Sequence, residues 1–385
     1  MTQTEQRRRA GRRLFLAVPL VAMVLLFGVP WWTLVWSGPE WSAPVLVAGS
    51  AVFAVGVVAF PVLMYLGHRR DGRDWAARIA DTTLGVVWVL FAWTVLSTVL
   101  RVALALAGVG NPDRSRIVAV AVVAVTVVLV AWGVTEAMRV PRVRAVDVRI
   151  PRLGPGLDGT KVVVLADTHF GPLNRTRWST ATAEAVNRLA PDIVCHAGDI
   201  ADGTVAARRS QAAPLGTIRA RLARVYVTGN HEYFGEAQNW LDHMASLGWQ
   251  PLHNRSVVVS RGGSDLVLAG IDDVTARSSG LEGHGADLTE ALSGVAPDLP
   301  VLLVAHQPRQ VVQAAAAGVD LQVSGHTHGG QIWPFHYLVR VDQPSVHGLS
   351  RHGATQLYTS RGAGFWGPPL RIFAPSEITL LTLRR

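Results

Sequence analysis

Residues 161–170 read KVVVLADTHF. The run Val162 to Ala166 is apolar at every position instead of alternating, as in a strand covered on both faces, and it stops at Asp167-Thr168-His169. Working outward, the same texture returns at 192–195 (DIVC), 225–228 (VYVT), 265–271 (DLVLAGI), 300–305 (PVLLVA) and 321–323. These valine-rich segments are bounded by turn residues and read as strands. Helical periodicity falls between them at 176–189, 238–247 and 308–317. Buried strands alternating with helices predict a layered α/β domain over about residues 144–385.

The strand ends carry the chemistry. The first run closes on Asp167-Thr168-His169, the second on Gly198-Asp199, the third on Gly229-Asn230-His231-Glu232, the fifth on His306 and the sixth on Gly325-His326-Thr327-His328. Sites in α/β sheets lie outside the carboxyl ends of strands, so these segments are expected to converge. Aspartate, histidine and asparagine without cysteine form an oxygen and nitrogen donor set suited to manganese, iron or zinc. In Asp167-x-His169 and His326-x-His328 the paired residues would face one side of an extended backbone. The glycines before Asp199, Asn230 and His326 would let the chain turn sharply and approach closely. The seven ligand-type residues exceed what one tetrahedral ion needs, whereas two ions sharing a carboxylate would use them all. Two ions about 3.5–4 Å apart can clamp the attacking and departing oxygens of a phosphoryl transfer.

Asp167-x-His169, Gly198-Asp199-x-x-Asp202, Gly229-Asn230-His231-Glu232, His306 and Gly325-His326-x-His328, in this order, resemble the calcineurin-like metallophosphoesterases. Gly329-Gly330-Gln331-Ile332-Trp333-Pro334 and the segment from Arg361-Gly362 to Glu377-Ile378 look like the membrane-associated bacterial phosphodiesterase branch, similar to the YaeI and YkuE proteins. Pro375-Ser376-Glu377 departs from the Pro-Pro-Glu expected of that branch. The resemblance implies a two-sheet αββα sandwich holding two divalent ions (Mn, Fe or Zn). It implies that Asp167, His169, Asp199 and His328 hold the first ion, with Asp199 bridging to a second completed by Asn230, His306 and His326. His231 would be a general acid or a stabiliser of the transferring phosphoryl group, and Asp202 would orient a ligand histidine or the His231 ring. The implied reaction is in-line attack of metal-bound hydroxide on phosphorus, without a covalent enzyme intermediate.

The first 140 residues differ in kind. Hydrophobic residues make up 49% of the chain and charged ones only 16%, with mean hydropathy +0.27, which excludes a mainly disordered protein and places part of it in a membrane. Apolar stretches at 14–36, 44–67, 80–108 and 117–138 predict a membrane domain of four transmembrane helices over 1–140. Arg101 interrupts the third: either the span ends near Leu100 and the arginine reaches an interface, or it sits in the bundle with a partner, and the first is favoured because membrane-buried charges are rare. Trp31, Trp32, Trp36 and Trp41 fit a headgroup belt.

The net charge of +9 follows the membrane topology. Residues 1–144 hold 15 basic against 7 acidic residues and the rest 21 against 20, so the folded module lacks the basic footprint of a nucleic-acid binder. Arginines at 7, 8, 9, 12 and 13, at 69, 70, 73 and 78, and at 139, 142, 144, 149 and 152 oppose only Arg114 and Arg116 in the alternate loops. By the positive-inside rule the catalytic domain faces the cytoplasm of a cell membrane. Arg12-Arg13-Leu14-Phe15-Leu16 offers the opposite reading, a twin-arginine export signal and an exported face. Cys195, the single cysteine, excludes an internal disulfide and reads as a small buried residue.

His196 reads as a core histidine; His253, His284, His336, His347 and His352 read as loop or surface groups, and the glycine-rich stretch 278–285 as a rim of no evident chemistry. The aromatic residues Trp333 and Phe335 could contact the apolar part of a substrate, but packing in the core is the favoured expectation. The expected protein is a membrane-anchored hydrolase of a phosphodiester or phosphomonoester, the diester favoured. A phospholipid or a nucleotide-linked lipid is the first candidate partner. Alternatives are a metal-binding membrane sensor or scaffold without turnover, and a transporter regulated by the metal domain, for which Arg101 is the one candidate charge.

Overall fold

The structure, a computed structural model, describes residues 20–69 and 71–385. The arginines at 7–13, the export-type motif, residues 14–19 of the first expected span and Arg70 lie outside the described residues. The chain divides into two compact units, Met1–Trp132 and Gly133–Arg385.

Along the chain α1 (Leu20–Trp36) precedes α2 (Ala43–His68), α3 (Asp74–Leu106) and α4 (Asp113–Met138), whose last six residues fall in the second unit. The last three are long and apolar enough to cross a membrane, while the described part of α1 is shorter. At 1.5 Å per residue α2 alone extends about 39 Å, beyond the roughly 30 Å of a hydrocarbon core. Its start follows Ser42 with a proline in the first turn, where a missing amide costs no bond. The α2–α3 turn is close-packed: a Cβ on Gly67 would meet the Ala77 backbone at 2.5 Å, and His68 Nε2 lies 3.1 Å from Asp81 Oδ1. Leu34 and Val35 of α1 pack with Val118, Ala119 and Val122 of α4. The third helix runs unbroken to Leu106, with no proline or glycine among Val102 to Leu106, and Arg101 Nη2 is buried without a hydrogen-bond partner among the described residues.

The second unit contains β1 (Arg142–Arg149), β2 (Lys161–Leu165), α5 (Thr176–Arg188), β3 (Ile193–Ala197), α6 (Val205–Ala212), β4 (Ala223–Val227), α7 (Asn230–Phe234), α8 (Ala237–Ser246), β5 (Gln250–Pro251), β6 (Arg255–Arg261) and β7 (Ser264–Gly270). It continues through α9 (Ala276–Ser279), α10 (Leu288–Ala291), β8 (Val301–Val304), α11 (Val311–Ala316), β9 (Leu321–Ser324), α12 (His336–Asp342), β10 (Gly348–His352), β11 (Thr355–Thr359) and β12 (Glu377–Arg384). Two six-stranded sheets form, in the orders β1-β12-β2-β3-β4-β5 and β10-β11-β9-β8-β7-β6. Strands β2 to β5 are mutually parallel, as are β7, β8, β9 and β11.

The period of two along each strand builds the layers. Val162 and Val164 of β2 enter a core between the sheets with Val225, Leu268, Leu302, Val304 and Val323. Their neighbours Val163 and Leu165 face the other way, against Trp178 and Val186 of α5 and Trp240 and Met244 of α8. On the second sheet Val267, Ala269 and Leu303 pack outward on Leu288, Ala291 and Ala314. Each fully buried valine or leucine stabilises the fold by about 1.5–3 kcal/mol, which is why the apolar runs could not alternate. The result is helix, sheet, sheet, helix, the expected two-sheet sandwich. Phe335 and Trp333 are not in these cores; Phe335 is half-exposed, and Trp333 packs on Phe373 at 6.3 Å.

Candidate metal centre

The parallel strands β2, β3 and β4 of one sheet and β8 and β9 of the other end at one rim. Asp167 stands two residues beyond β2, Asp199 two beyond β3, Asn230 opens α7 after β4, and His306 and His326 follow β8 and β9. Backbone bonds stitch the loops in sequence: Asp167 N donates to Gly198 O (3.0 Å), His169 N to Asp199 O (3.1 Å) and Gly325 N to His306 O (3.0 Å).

All seven expected ligands meet there. His169 Nε2 is 3.1 Å from His328 Nε2 and 3.5 Å from Asp199 Oδ2, and His328 Nε2 is 3.9 Å from Asp167 Oδ1. On the other side His306 Nε2 is 3.2 Å from Asp199 Oδ2 and 3.0 Å from Asn230 Oδ1, which also lies 2.9 Å from His326 Nδ1. Two clusters result, Asp167–His169–His328 and Asp199–His306–His326, with ligand-type atoms within 4.8 Å of one another in each. His231 comes within the same reach of His169 and Asp199.

How the backbone achieves this differs from the extended pattern expected of the Asp-x-His and His-x-His pairs. Asp167, His169, Asp199, His326 and His328 all have positive φ, between 42° and 70°. Each is in the left-handed region, which costs an L-residue about 1–2 kcal/mol and persists only where the surroundings over-determine it. Of the preceding glycines only Gly198 has positive φ (+88°). Gly229 and Gly325 serve close approach instead: a Cβ would stand 2.1 Å from Asp199 Oδ1 at the first and 2.5 Å from Asp167 Oδ2 at the second.

The groups around the ligands fix their orientation. Asp202 Oδ1 accepts from both His169 Nδ1 (2.9 Å) and His231 Nδ1 (2.7 Å), so one oxygen holds two imidazoles. His306 Nδ1 donates to Ala197 O at 2.7 Å, leaving Nε2 toward Asp199 and Asn230. Sequence reading assigned no role to three further residues. Glu232, fully buried, accepts from the backbone amides of Asp199 (3.0 Å), Ile200 (2.8 Å) and Gly229 (2.7 Å). Buried Arg371 donates to His328 O, Arg361 O and Gly364 O and stands 3.2 Å from His328 Nδ1. Buried Arg175 donates to Thr168 O and His169 O. Nothing in the sequence distinguishes these two arginines from those on the surface, while Glu232 could have been found from its place three residues after the Gly229 turn.

Electrostatics favour cations. Burial works to raise the Asp199 carboxyl, but His306, His231 and His169 hold it well below the ordinary range. Asp167 is raised, by burial first and with Asp199 also raising it. Burial works against a charged His306, yet Asp199 and Asp167 push it well above 6.5. Burial and then His306 lower His326 to about 3, and burial, His169 and Arg371 lower His328. Facing imidazole nitrogens, neutral histidines and buried carboxylates are a donor set that fits divalent cations. Away from the rim, burial drops His196 to about 3 and lifts Cys195 to about 12; both lie in the core.

A family model described as calcineurin-like phosphoesterase matches residues 160–330. The chain is 39% identical over 290 residues to a transmembrane protein with metallophosphoesterase domain from Bos taurus, covering 72% of this chain and 65% of that protein, just under two thirds of the relative's length. It is 32% identical over 305 residues to the metallophosphoesterase Cj0846 of Campylobacter jejuni, covering 77% and 79% of the two chains. To the metallophosphoesterase YkuE of Bacillus subtilis it is 29% identical over 237 residues, 60% and 80% of the two. With a relative matched over nearly four fifths of its length and the family's pattern running through the strands that shape the rim, the chain belongs to the calcineurin-like metallophosphoesterases.

Proposed function

We propose that the protein is a membrane-anchored, metal-dependent phosphoesterase that hydrolyses a phosphodiester in preference to a monoester. The observation that carries this reading is the convergence of seven ligand-type residues from two sheets on one buried rim. Asp167, His169, Asp199 and His328 would hold one divalent ion, and Asn230, His306 and His326 a second, with Asp199 shared; the donors suit manganese, iron or zinc. When bound, such a pair supplies Lewis acidity toward phosphorus and acidifies water near neutral pH. The chain's own residues do the rest. Asp202 orients His169 and His231 through one oxygen, and His231, which comes within 4.8 Å of ligand-type atoms of His169 and Asp199, is placed to deliver a proton to the departing oxygen. Phe234 and Trp366, both exposed, pack on the His231 ring at 5.2 and 5.9 Å, an apolar mouth that favours a lipid-linked leaving group such as a phospholipid or a nucleotide-linked lipid.

The apolar helices and the relative named as a transmembrane protein support integral membrane attachment. Four spans and a cytoplasmic catalytic domain from about residue 144 complete the proposal, on the apolar stretches of the sequence and the arginine asymmetry between alternate loops.

The test is metal content and bis(p-nitrophenyl) phosphate hydrolysis on detergent-purified, manganese-reconstituted protein. Wild type should hydrolyse the diester. Asp199→Asn should lose activity together with metal, and His231→Ala should keep its metal while losing about 10²–10⁴-fold in kcat. Full metal loading without turnover of diester, monoester or lipid substrates would replace this reading with a sensor or scaffold.

A further inference from the structure

The histidines His253 and His284 and the glycine-rich loop 278–285 take no part in the centre above, yet they converge beside it. His253 follows β5, Asp272 follows β7, and His284 belongs to the loop between α9 and α10. One ligand-type atom of each lies within 4.8 Å of the other two. His253 Nδ1 is 2.6 Å from Asp272 Oδ1, His284 Nδ1 is 3.9 Å from Asp272 Oδ2, and the two rings are 4.5 Å apart. We infer that His253, Asp272 and His284 form a separate cation site of the zinc type, with its fourth position facing the Tyr233 hydroxyl.

The surrounding groups prepare the donors. Gln238 Oε1 can only accept, so at 3.1 Å it fixes the proton of His284 on Nε2 and leaves Nδ1 unprotonated, accepting from Tyr233 Oη at 3.1 Å with Asp272 Oδ2 3.9 Å away. Asp272 Oδ2 is held by the Gly285 amide at 3.0 Å, which sets the carboxylate plane. Tyr233 Oη lies 3.1 Å from His284 Nδ1 and accepts from Thr228 Oγ1 at 3.2 Å. Ligands of a tetrahedral zinc at 2.0–2.1 Å stand about 3.3 Å apart, so the 2.6 Å pair must open by about 0.7 Å and the 3.9 Å pair close by about 0.6 Å. The Asp272 side chain is 1% exposed and that of His253 32%, so a buried anion has a wet entry on one side. On binding, the ion displaces the proton that His253 Nδ1 shares with Asp272, and that proton leaves to solvent. Because Tyr233 is two residues from His231 on α7, an ion here would tie the 278–285 loop to the helix that carries the proposed general acid.

Zinc content of full-length protein, stripped with chelator and reloaded in detergent, tests this in wild type, Asp199→Asn and the pair His253→Gln with His284→Gln. The glutamine pair should hold about one equivalent less than wild type, and Asp199→Asn should still retain about one. Glutamine keeps an amide donor for Asp272, so folding in metal-free buffer, read by the thermal midpoint, should persist; His253→Gln alone carries the same expectation should the pair not fold. A wild type with a single zinc that the glutamine pair loses would sink the dinuclear reading and keep this one. Equal zinc in wild type and the folded glutamine variants would overturn it.

Discussion

At the residue scale the rim is built from backbone that resists being built. Gly198, at φ +88°, ends β3 where a Cβ would stand 2.6 Å from Gly229 N and 2.8 Å from His306 Nδ1. Both neighbours are fixed, one by the Glu232 carboxylate and the other by the Ala197 carbonyl, so neither can yield. Gly198→Ala should therefore destabilise the domain by about 2–4 kcal/mol, adding left-handed strain to overpacking, and lower metal content with it. A thermal midpoint and metal content equal to wild type would contradict this. The residues that meet at the rim were legible, because aspartates and histidines at strand ends have few other reasons to recur. Their left-handed conformations were not: the short-range pattern Asp-x-His is compatible with extended backbone, and only the long-range bonds between loops select otherwise. Arg371 and Arg175 were illegible for a related reason, since an arginine clamping carbonyls from distant loops looks like any other of the 36 basic residues.

At the element scale α7 is a short piece with a large task. It has five residues, too few to be stable on its own, and it presents both Asn230 and His231. Glu232 compensates by gathering three amides from two loops. Glu232→Ala should leave these buried donors unpaired, costing about 3 kcal/mol or more, and should lower activity by misplacing His231. Thermal unfolding together with diester hydrolysis of the variant checks both, and an unshifted midpoint would show that the helix is held by something else. Among larger elements, the two-face-buried strands β2, β3, β4, β7, β8 and β9 were legible from their apolar runs. Strands β1, β5, β6, β10, β11 and β12 were not, since they are short, or interrupted by charged or polar residues, as in RVRAVDVR of β1, whose arginines read as a membrane flank. Helix α3 was legible at its end, expected near residue 108 and found at Leu106, but it begins at Asp74, six residues before the apolar stretch, because its first turns hold charged residues.

At the scale of the whole molecule the proposal of a cytoplasmic catalytic domain is open to direct test. Trypsin added to inverted membrane vesicles should cleave the second unit, and in intact spheroplasts it should be protected; the reverse pattern would favour an exported face and the twin-arginine reading. The topology has a further consequence. Strand β12 lies between β1 and β2, parallel to the first and antiparallel to the second, so residues 377–384 join two strands that belong to the start of the domain. While the ribosome is still making residue 376, β1 has no partner in its sheet and β2 lacks one edge. The membrane helices can enter the bilayer during synthesis, but the first sheet can be completed only after the last of β12 has emerged, and a nascent chain must carry that unfinished edge until then.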